Sequence, residues 1–584
     1  MPGLQEFIHK LEEGEWVRPV KVVTALLAVV ALTVWYDLHQ FQNFHAPEAM
    51  EAAQLARNLA RGKGFTTQCI RPVSLHLVEE RQGVNGRLSR QPHPDLQNPP
   101  LYPLVLAGLM KALPFHYEMG PSFYRYQPEM IIAVFNQTLF FLGVWLMYRL
   151  AKRLFDPQVA LLSAVALMGS DVLWSFSASG LSTMLLLLIM TGILWGLVLL
   201  ERAGREDQRG PRWYAAWALA VGGLVGLGGL TRYSFAWMII PVAAFCAAFL
   251  GTRRAMVCGL VIGSFVLVLS PWLVRNYQVS GTLFGVPGFA LYQETLAFPG
   301  TLLERSLNPD LARIGLDEYP RKLLVGAGEI VQSHLPRLGA SWVGAFFLVG
   351  LLLPFRDPGL GRLRLFVVFS LVVMTLVQAL GRTHLSAEGA VITSENLLVL
   401  LAPAIFLFGV ALFCQLLDQL GAEIPAARPV ASLGFVVMAC ASMGFTLLPP
   451  RSVAVVPPYI PPWIQDAAKL LAERELMMSD MPWAVAWYGN RSCVWIPSDA
   501  NKSFYRINDD QKGISALYLT GLTTDAHFVS QVVQGMDHQW ARLATEVILH
   551  GNLPPGFPLQ DAFRGYMPAQ ILLSDRARWK EKKR

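Results

Sequence analysis

Apolar residues run through this chain in repeated stretches of about 20 positions, long enough to cross a hydrocarbon layer of about 30 Å. Eleven such segments are read, at 20–36, 130–149, 158–175, 181–200, 213–230, 234–250, 255–273, 338–354, 364–380, 396–417 and 430–448. They predict an all-α polytopic membrane protein of about 11 transmembrane helices. Basic residues gather in alternate connections. The N-terminus carries Lys10, Arg18 and Lys21; Arg149, Lys152 and Arg153, then Arg202, Arg205, Arg209 and Arg212, then Arg253 and Arg254, then Arg356, Arg362 and Arg364 lie in the connections after even-numbered spans. Cytoplasmic loops carry such an excess. The N-terminus is therefore expected in the cytoplasm of a multi-pass protein of the cell (inner) membrane.

The other, extracytoplasmic side then receives loops 37–129 and 274–337 and all that follows 448. This divides the chain into a transmembrane domain, 1–448, and a C-terminal domain, 449–584. The latter opens with a Pro-rich linker. Helices at 463–475, 483–488 and 525–549 then alternate with strands at 476–479, 493–496, 515–520 and 570–573, which predicts a small α/β domain. In the first loop, Ala49, Ala52, Ala53, Ala56, Leu59 and Ala60 make the stripe of an amphipathic helix over 47–61. Pro47 suits its first position, and Gly62 or Gly64 its stop. Residues 99–113 read as a helix shorter than a span, lying at the interface.

Composition agrees. Of 584 residues, 53% are hydrophobic and 15% charged, against about 25% charged in soluble proteins. The net charge of +7 does not indicate nucleic acid, because the basic residues sit beside the spans. Cys246, Cys258, Cys414 and Cys440 lie in spans, Cys69 and Cys493 outside them. No Cys-x-x-Cys or His-x-x-x-His occurs, so the sequence assigns no metal ligands. No cofactor is implied, and use of a divalent metal stays open. The first span ends without a small-residue cleavage site and is expected to remain as an anchor. No Gly-rich phosphate loop, catalytic Ser-His-Asp grouping or ATPase motif is present.

Polar residues that could carry chemistry cluster outside the membrane. Glu48 and Glu51 lie one turn apart on one helix face. They suit a base and a partner that orients a nucleophile or a metal; they equally suit a first turn that complements the helix dipole. His93, Asp95 and Asn98 lie in the Pro-stiffened run Gln91-Pro92-His93-Pro94-Asp95-Leu96-Gln97-Asn98-Pro99-Pro100, either held for function or part of a rigid surface loop. Arg275 and Asn276 end the seventh span, and Arg232 with Tyr233 falls between the fifth and sixth. An Arg there can grip phosphate with two donors or anchor a span by snorkelling. Glu395 opens the tenth span, as a site residue or beside a helix cap at Ser394.

Taken in order, these pieces resemble the C-type membrane glycosyltransferases, in particular the bacterial relatives of protein O-mannosyltransferases and aminoarabinose transferases. The matching segments are Pro47-Glu48-Ala49-Met50-Glu51, His93-Pro94-Asp95 through Pro99-Pro100-Leu101-Tyr102-Pro103, Leu230-Thr231-Arg232-Tyr233, Pro271-Trp272-Leu273-Val274-Arg275-Asn276-Tyr277, and Asp480-Met481-Pro482-Trp483 in the tail. The resemblance covers nearly the whole chain. It implies an inverting transferase that takes a sugar from a polyprenyl-phosphate carrier on the extracytoplasmic side, at the lipid bilayer. It implies Glu48 as base where the family has Asp, with Glu51 beside it. Since the Lys that aminoarabinose transferases carry near Asn98 is absent, phosphate binding falls to Arg275 with Asn276, Arg232 or His93. Asp95, Asn98, Tyr102 and Glu395 would support the site. The acceptor, whether glycan, lipid or protein, is left unnamed. A transporter would also have many spans, but no internal repeat or midplane charge of the kind transporters use is present. A non-catalytic membrane scaffold is the remaining alternative; in it Glu48→Ala would be harmless.

Overall fold

The computed structural model describes residues 17–120, 124–206, 209–338, 342–352, 357–381, 392, 396–421, 427–448, 458–524, 538–551, 553–563 and 570–581. Its longer helices, in chain order, begin with α1 (Val17–Gln40), α2 (Pro47–Ala60), α3 (Pro72–Gln82), α4 (Leu101–Ala112), α5 (Gln127–Leu154), α6 (Pro157–Met168) and α7 (Asp171–Ala178). Then come α8 (Thr183–Glu206), α9 (Pro211–Thr231), α10 (Ile239–Phe249), α11 (Arg254–Ser280), α12 (Glu318–Glu329), α13 (Trp342–Gly350), α14 (Pro358–Gly381), α15 (Ala402–Gly421) and α16 (Ala427–Leu447). The C-terminal part adds α17 (Pro461–Ala468), α18 (Pro482–Gly489) and α19 (His538–Leu549).

Eight helices among the described residues are long and apolar enough to cross a membrane, or nine with the bent pair α6–α7 counted as one span. The chain is a polytopic helical membrane protein. Three of the eleven expected spans take other forms. The one at 158–175 is broken by 56° between α6 and α7, where Gly169 and Ser170 interrupt the helix. The one at 234–250 opens with a 3₁₀ segment, Tyr233–Met238, before α10. The one at 338–354 is described only as α13, nine residues long. The hydropathy of a segment does not say how deeply it is buried. In Leu398–Gln419, 89% of the apolar window is enclosed by the protein, but in Pro19–Gln40 only 6%, so the first span lies at the periphery.

The C-terminal strands form one sheet with a piece of the first loop. Its order is β1 (Cys69–Ile70), β3 (Cys493–Trp495), β2 (Leu476–Ser479), β4 (Ile514–Leu519), β6 (Ile571–Ser574) and β5 (Asp561–Ala562). The first four are parallel and β6 and β5 antiparallel. The expected α/β alternation is present, but β1 crosses the boundary at 449, with Cys69 opposite Cys493. A two-residue strand is too short for alternation to reveal it. Of the expected helix 525–549, 538–549 is helical and the rest lies outside the described residues.

Two buried charges seat this sheet on the membrane helices. Arg57 of α2, 1% exposed, donates to Trp487 O (2.7 Å) and Ala486 O (2.6 Å) at the C-terminal end of α18. A cation there satisfies orphan carbonyls and the negative end of the helix dipole. Burial pushes its pKa down to about 10. Glu129, at the start of α5, accepts from Phe44 N and Trp487 Nε1, each at 2.7 Å.

Candidate active site

Helix α2 starts at Pro47, which loses no hydrogen bond at that position, and it carries Glu48 in its first turn. The expected amphipathic helix is instead buried on nearly every side. Its polar stripe, Glu51, Gln54 and Asn58, is matched group by group by the returning chain. Asn58 Nδ2 donates to Thr66 O (2.8 Å), Gln54 Oε1 accepts from Thr67 Oγ1 (3.1 Å), and Glu51 meets Arg71. Glu48, at the exposed end of this stripe, is half-buried.

Arg71, just before α3, was not legible as a site residue. It is 3% exposed and grips Glu51 with two donors, Nη2 to Oε1 at 2.7 Å and Nη1 to Oε2 at 3.0 Å. Its Nε donates to Glu304 Oε2 at 2.5 Å. Glu304 comes from a short helical turn in the second loop, Leu302–Arg305, and also accepts from Gln293 Nε2 (2.7 Å). One guanidinium thus joins both extramembrane loops. Burial is the main influence on Glu51 and lifts its carboxyl above the ordinary range, while Arg71 pulls it down. For Arg71, burial opposes the charge, but Glu51 and Glu304 outweigh it and hold the guanidinium well above the usual range. Arg71 is the fixed charge of the cluster.

The Pro-stiffened loop lies against this cluster. Asp95 accepts from Gln97 N (3.1 Å), Asn98 N (3.0 Å) and Asn98 Nδ2 (3.0 Å), which closes a tight turn. Asn98 Nδ2 also lies 3.5 Å from Glu51 Oε2. Arg275 Nη1 donates to Asp95 O (2.6 Å) and Asn276 Oδ1 (2.9 Å), and the guanidinium lies over the Trp272 ring at 4.8 Å. Its Nε and Nη2 hydrogen-bond no described residue. Asn276 and Trp272 both donate to Tyr233 Oη, at 3.1 and 2.8 Å. Val286 N then bonds Leu96 O at 3.0 Å. Gly285 makes that approach feasible: its φ is +65°, and a Cβ there would sit 2.2 Å from Leu96 O.

His93 is fixed in one tautomer. Ser74 Oγ donates to Arg71 O (2.7 Å), so the 2.8 Å contact between Ser74 Oγ and His93 Nε2 has the imidazole as donor. Its Nδ1 is then a bare lone pair, buried without a partner. Such a ring offers a phosphate no further donor. Burial, with a smaller contribution from Arg275, lowers the His93 pKa to about 3. The unfolded chain binds a proton near pH 6.5 that the folded chain refuses until about pH 3. Stability is therefore full above pH 6.5 and falls by about 1.4 kcal/mol per pH unit below it. Thermal unfolding between pH 7 and 5 is expected to show a shallower acid loss in His93→Gln than in the parent; equal slopes would contradict it.

The remaining candidates separate. Arg232 is half-buried, at the C-terminal end of α9 and next to Tyr233. Tyr102 Oη donates to Gly180 O (2.8 Å) and accepts from Asn136 Nδ2 (3.0 Å), which ties it to the helix bundle. Glu395 lies outside the described residues. Asp480 is held by Thr520 N (2.8 Å) and Thr523 Oγ1 (2.9 Å) within the C-terminal sheet. Among the described residues, no group of three or more His, Cys, Asp or Glu side chains is arranged to hold a metal ion.

A family model for dolichyl-phosphate-mannose-protein mannosyltransferase matches residues 126–274, from the start of α5 to the residue before Arg275. No curated protein matches the sequence. Among solved structures, the chain is similar to ArnT from Cupriavidus metallidurans in the apo state, with 12% identity over 96% of this chain and 99% of that one, at a TM-score of 0.55. The same protein bound to undecaprenyl phosphate gives 11% identity, 95% and 98% coverage and a TM-score of 0.54. The archaeal oligosaccharyltransferase AglB from Archaeoglobus fulgidus, in complex with an inhibitory peptide and a dolichol-phosphate, gives 10%, 89% and 72%, and 0.51. The fold is that of the C-type membrane glycosyltransferases, as the sequence resemblance implies.

Proposed function

We propose that this chain is an integral-membrane glycosyltransferase. It moves a sugar from a polyprenyl-phosphate carrier to an acceptor, with inversion at the anomeric carbon. The observation that carries this reading is Arg275. It is a half-buried cation at the end of a membrane helix, with Nε and Nη2 turned to no described residue, and Asp95 and Asn98 link it to the acidic helix α2. A guanidinium fork suits two oxygens of one phosphate. Similar folds hold undecaprenyl phosphate in ArnT and dolichol-phosphate in AglB, which supports a carrier of that chemistry here.

In this reading Glu48 takes the proton of the acceptor as its nucleophilic atom bonds the anomeric carbon. The bond from that carbon to the carrier phosphate breaks on the opposite face. Arg275, with Asn276 beside it, meets the charge left on the phosphate, a role of the oxyanion-stabilising kind. Glu51 is committed to Arg71 and supports the site. His93 braces the loop through Ser74. The loops and the C-terminal domain lie on the extracytoplasmic side, an orientation supported by the basic connections; Gly513→Cys should react with an impermeant thiol reagent in intact spheroplasts, and reaction only after lysis would reverse it.

Arg275→Ala is expected to weaken binding of undecaprenyl phosphate to the purified protein by roughly tenfold or more, the scale of a lost charge-assisted hydrogen bond. Arg275→Lys should restore only part, since Lys lacks the fork. Equal binding by all three forms would remove Arg275 from the site and the main support for the reading.

A further inference from the structure

Helix α12 is built inside out. Its buried side carries Glu318, Lys322 and Gly326, at a spacing of four that continues to Ile330. Its outer side carries Leu324, 73% exposed, and Val325, 63% exposed, with Val331 following at 56%. A helix facing water has the reverse pattern, apolar inward and polar outward. The inward polar groups are used. Lys322 Nζ donates to Ala290 O (2.8 Å) and Gln293 O (2.6 Å), and Glu318 accepts from the backbone of Leu296 and Ala297.

The depth of this helix is fixed by contact with a span. A Cβ at Gly326 would come within 2.9 Å of Ala379 O, so the α12 backbone lies directly on α14. Ala379 is two residues before the end of that membrane-crossing helix at Gly381. The middle of α12 therefore lies against the end of that span, and Arg321 on the same helix is exposed. These are the features of a helix lying in the membrane interface.

We propose that α12 is seated in the leaflet on the loop side, with Leu324, Val325 and Val331 among the acyl chains. The bilayer then becomes part of the site's scaffold. Lys322 holds the Gln293 carbonyl, and the Gln293 side chain holds Glu304, which holds Arg71. The seating itself does not depend on the proposed activity.

The test places an environment-sensitive fluorophore on Leu324→Cys in the full chain, in phosphatidylethanolamine–phosphatidylglycerol vesicles. Parent protein treated in parallel gives the background from its own cysteines, of which Cys69, Cys246, Cys414 and Cys493 are buried. Lipids with a nitroxide near the carbonyl end should quench most of the emission, and aqueous iodide little. Val331→Cys, on the same face, should behave alike and serves if the first variant does not fold. Quenching by iodide but not by nitroxide lipid would overturn the proposal. Protection from both quenchers would also overturn it, and would assign the face to a second copy or another protein.

Discussion

Glu48→Gln is expected to abolish sugar transfer while leaving the fold and binding of the lipid carrier nearly intact. The amide keeps the size of the side chain and its hydrogen bonds but cannot accept a proton. General-base catalysis contributes typically about 10²–10⁴-fold, so the turnover number should fall by that factor with little change in KM for the donor. Glu48→Asp should retain part of the activity, because the carboxylate is kept on a shorter arm. Geometry favours Glu48 over Glu51 in this role. Glu51 is 3% exposed and held by two hydrogen bonds from Arg71, whereas Glu48 is half-buried at the start of the helix. A loss smaller than about tenfold in Glu48→Gln would move the base to Glu51 or Asp95.

Arg71→Met is expected to produce the largest loss of stability. It leaves Glu51 and Glu304, 3% and 4% exposed, facing each other without their common cation. Breaking a buried pair by removing one partner costs about 3–5 kcal/mol. The sign of its pH dependence follows. Without Arg71, burial acts on Glu51 unopposed and lifts its carboxyl further above the ordinary range, so ionising it opposes folding. The deficit should be largest at neutral pH and shrink as pH falls toward the ordinary carboxylate range. Thermal unfolding at pH 7 and pH 5 measures this. The triple variant Arg71→Met, Glu51→Gln, Glu304→Gln should recover much of the loss at pH 7. A deficit independent of pH, with no recovery in the triple variant, would contradict the account of the cluster.

Much of this was legible in the sequence, because the membrane imposes its own periodicity. Long apolar segments located most spans, and alternation after 449 located four of the six strands. Glu48, Glu51, Arg275 and the loop at 93–98 stood out because charge and proline are conspicuous beside apolar runs. Arg71 and Glu304 did not, because neither belongs to a local motif and their meaning lies in a contact across 233 residues. Strand β1 is defined by its partner Cys493 rather than by its own two residues. The acceptor character of His93 was likewise hidden, since it depends on which way the Ser74 hydroxyl points. The break between α6 and α7 shows a further limit: hydropathy averages over 18 residues and passes across a 56° bend.

The central claim is transfer of a sugar from a lipid phosphate. The most direct measurement is release of undecaprenyl phosphate, followed by chromatography, when the purified protein in nanodiscs is given undecaprenyl-phosphate-linked sugars together with envelope extract as acceptor. The account predicts release by the parent protein with at least one donor, and none above background by Glu48→Gln. No binding of undecaprenyl phosphate and no release from any donor, by a protein shown to be folded, would contradict it.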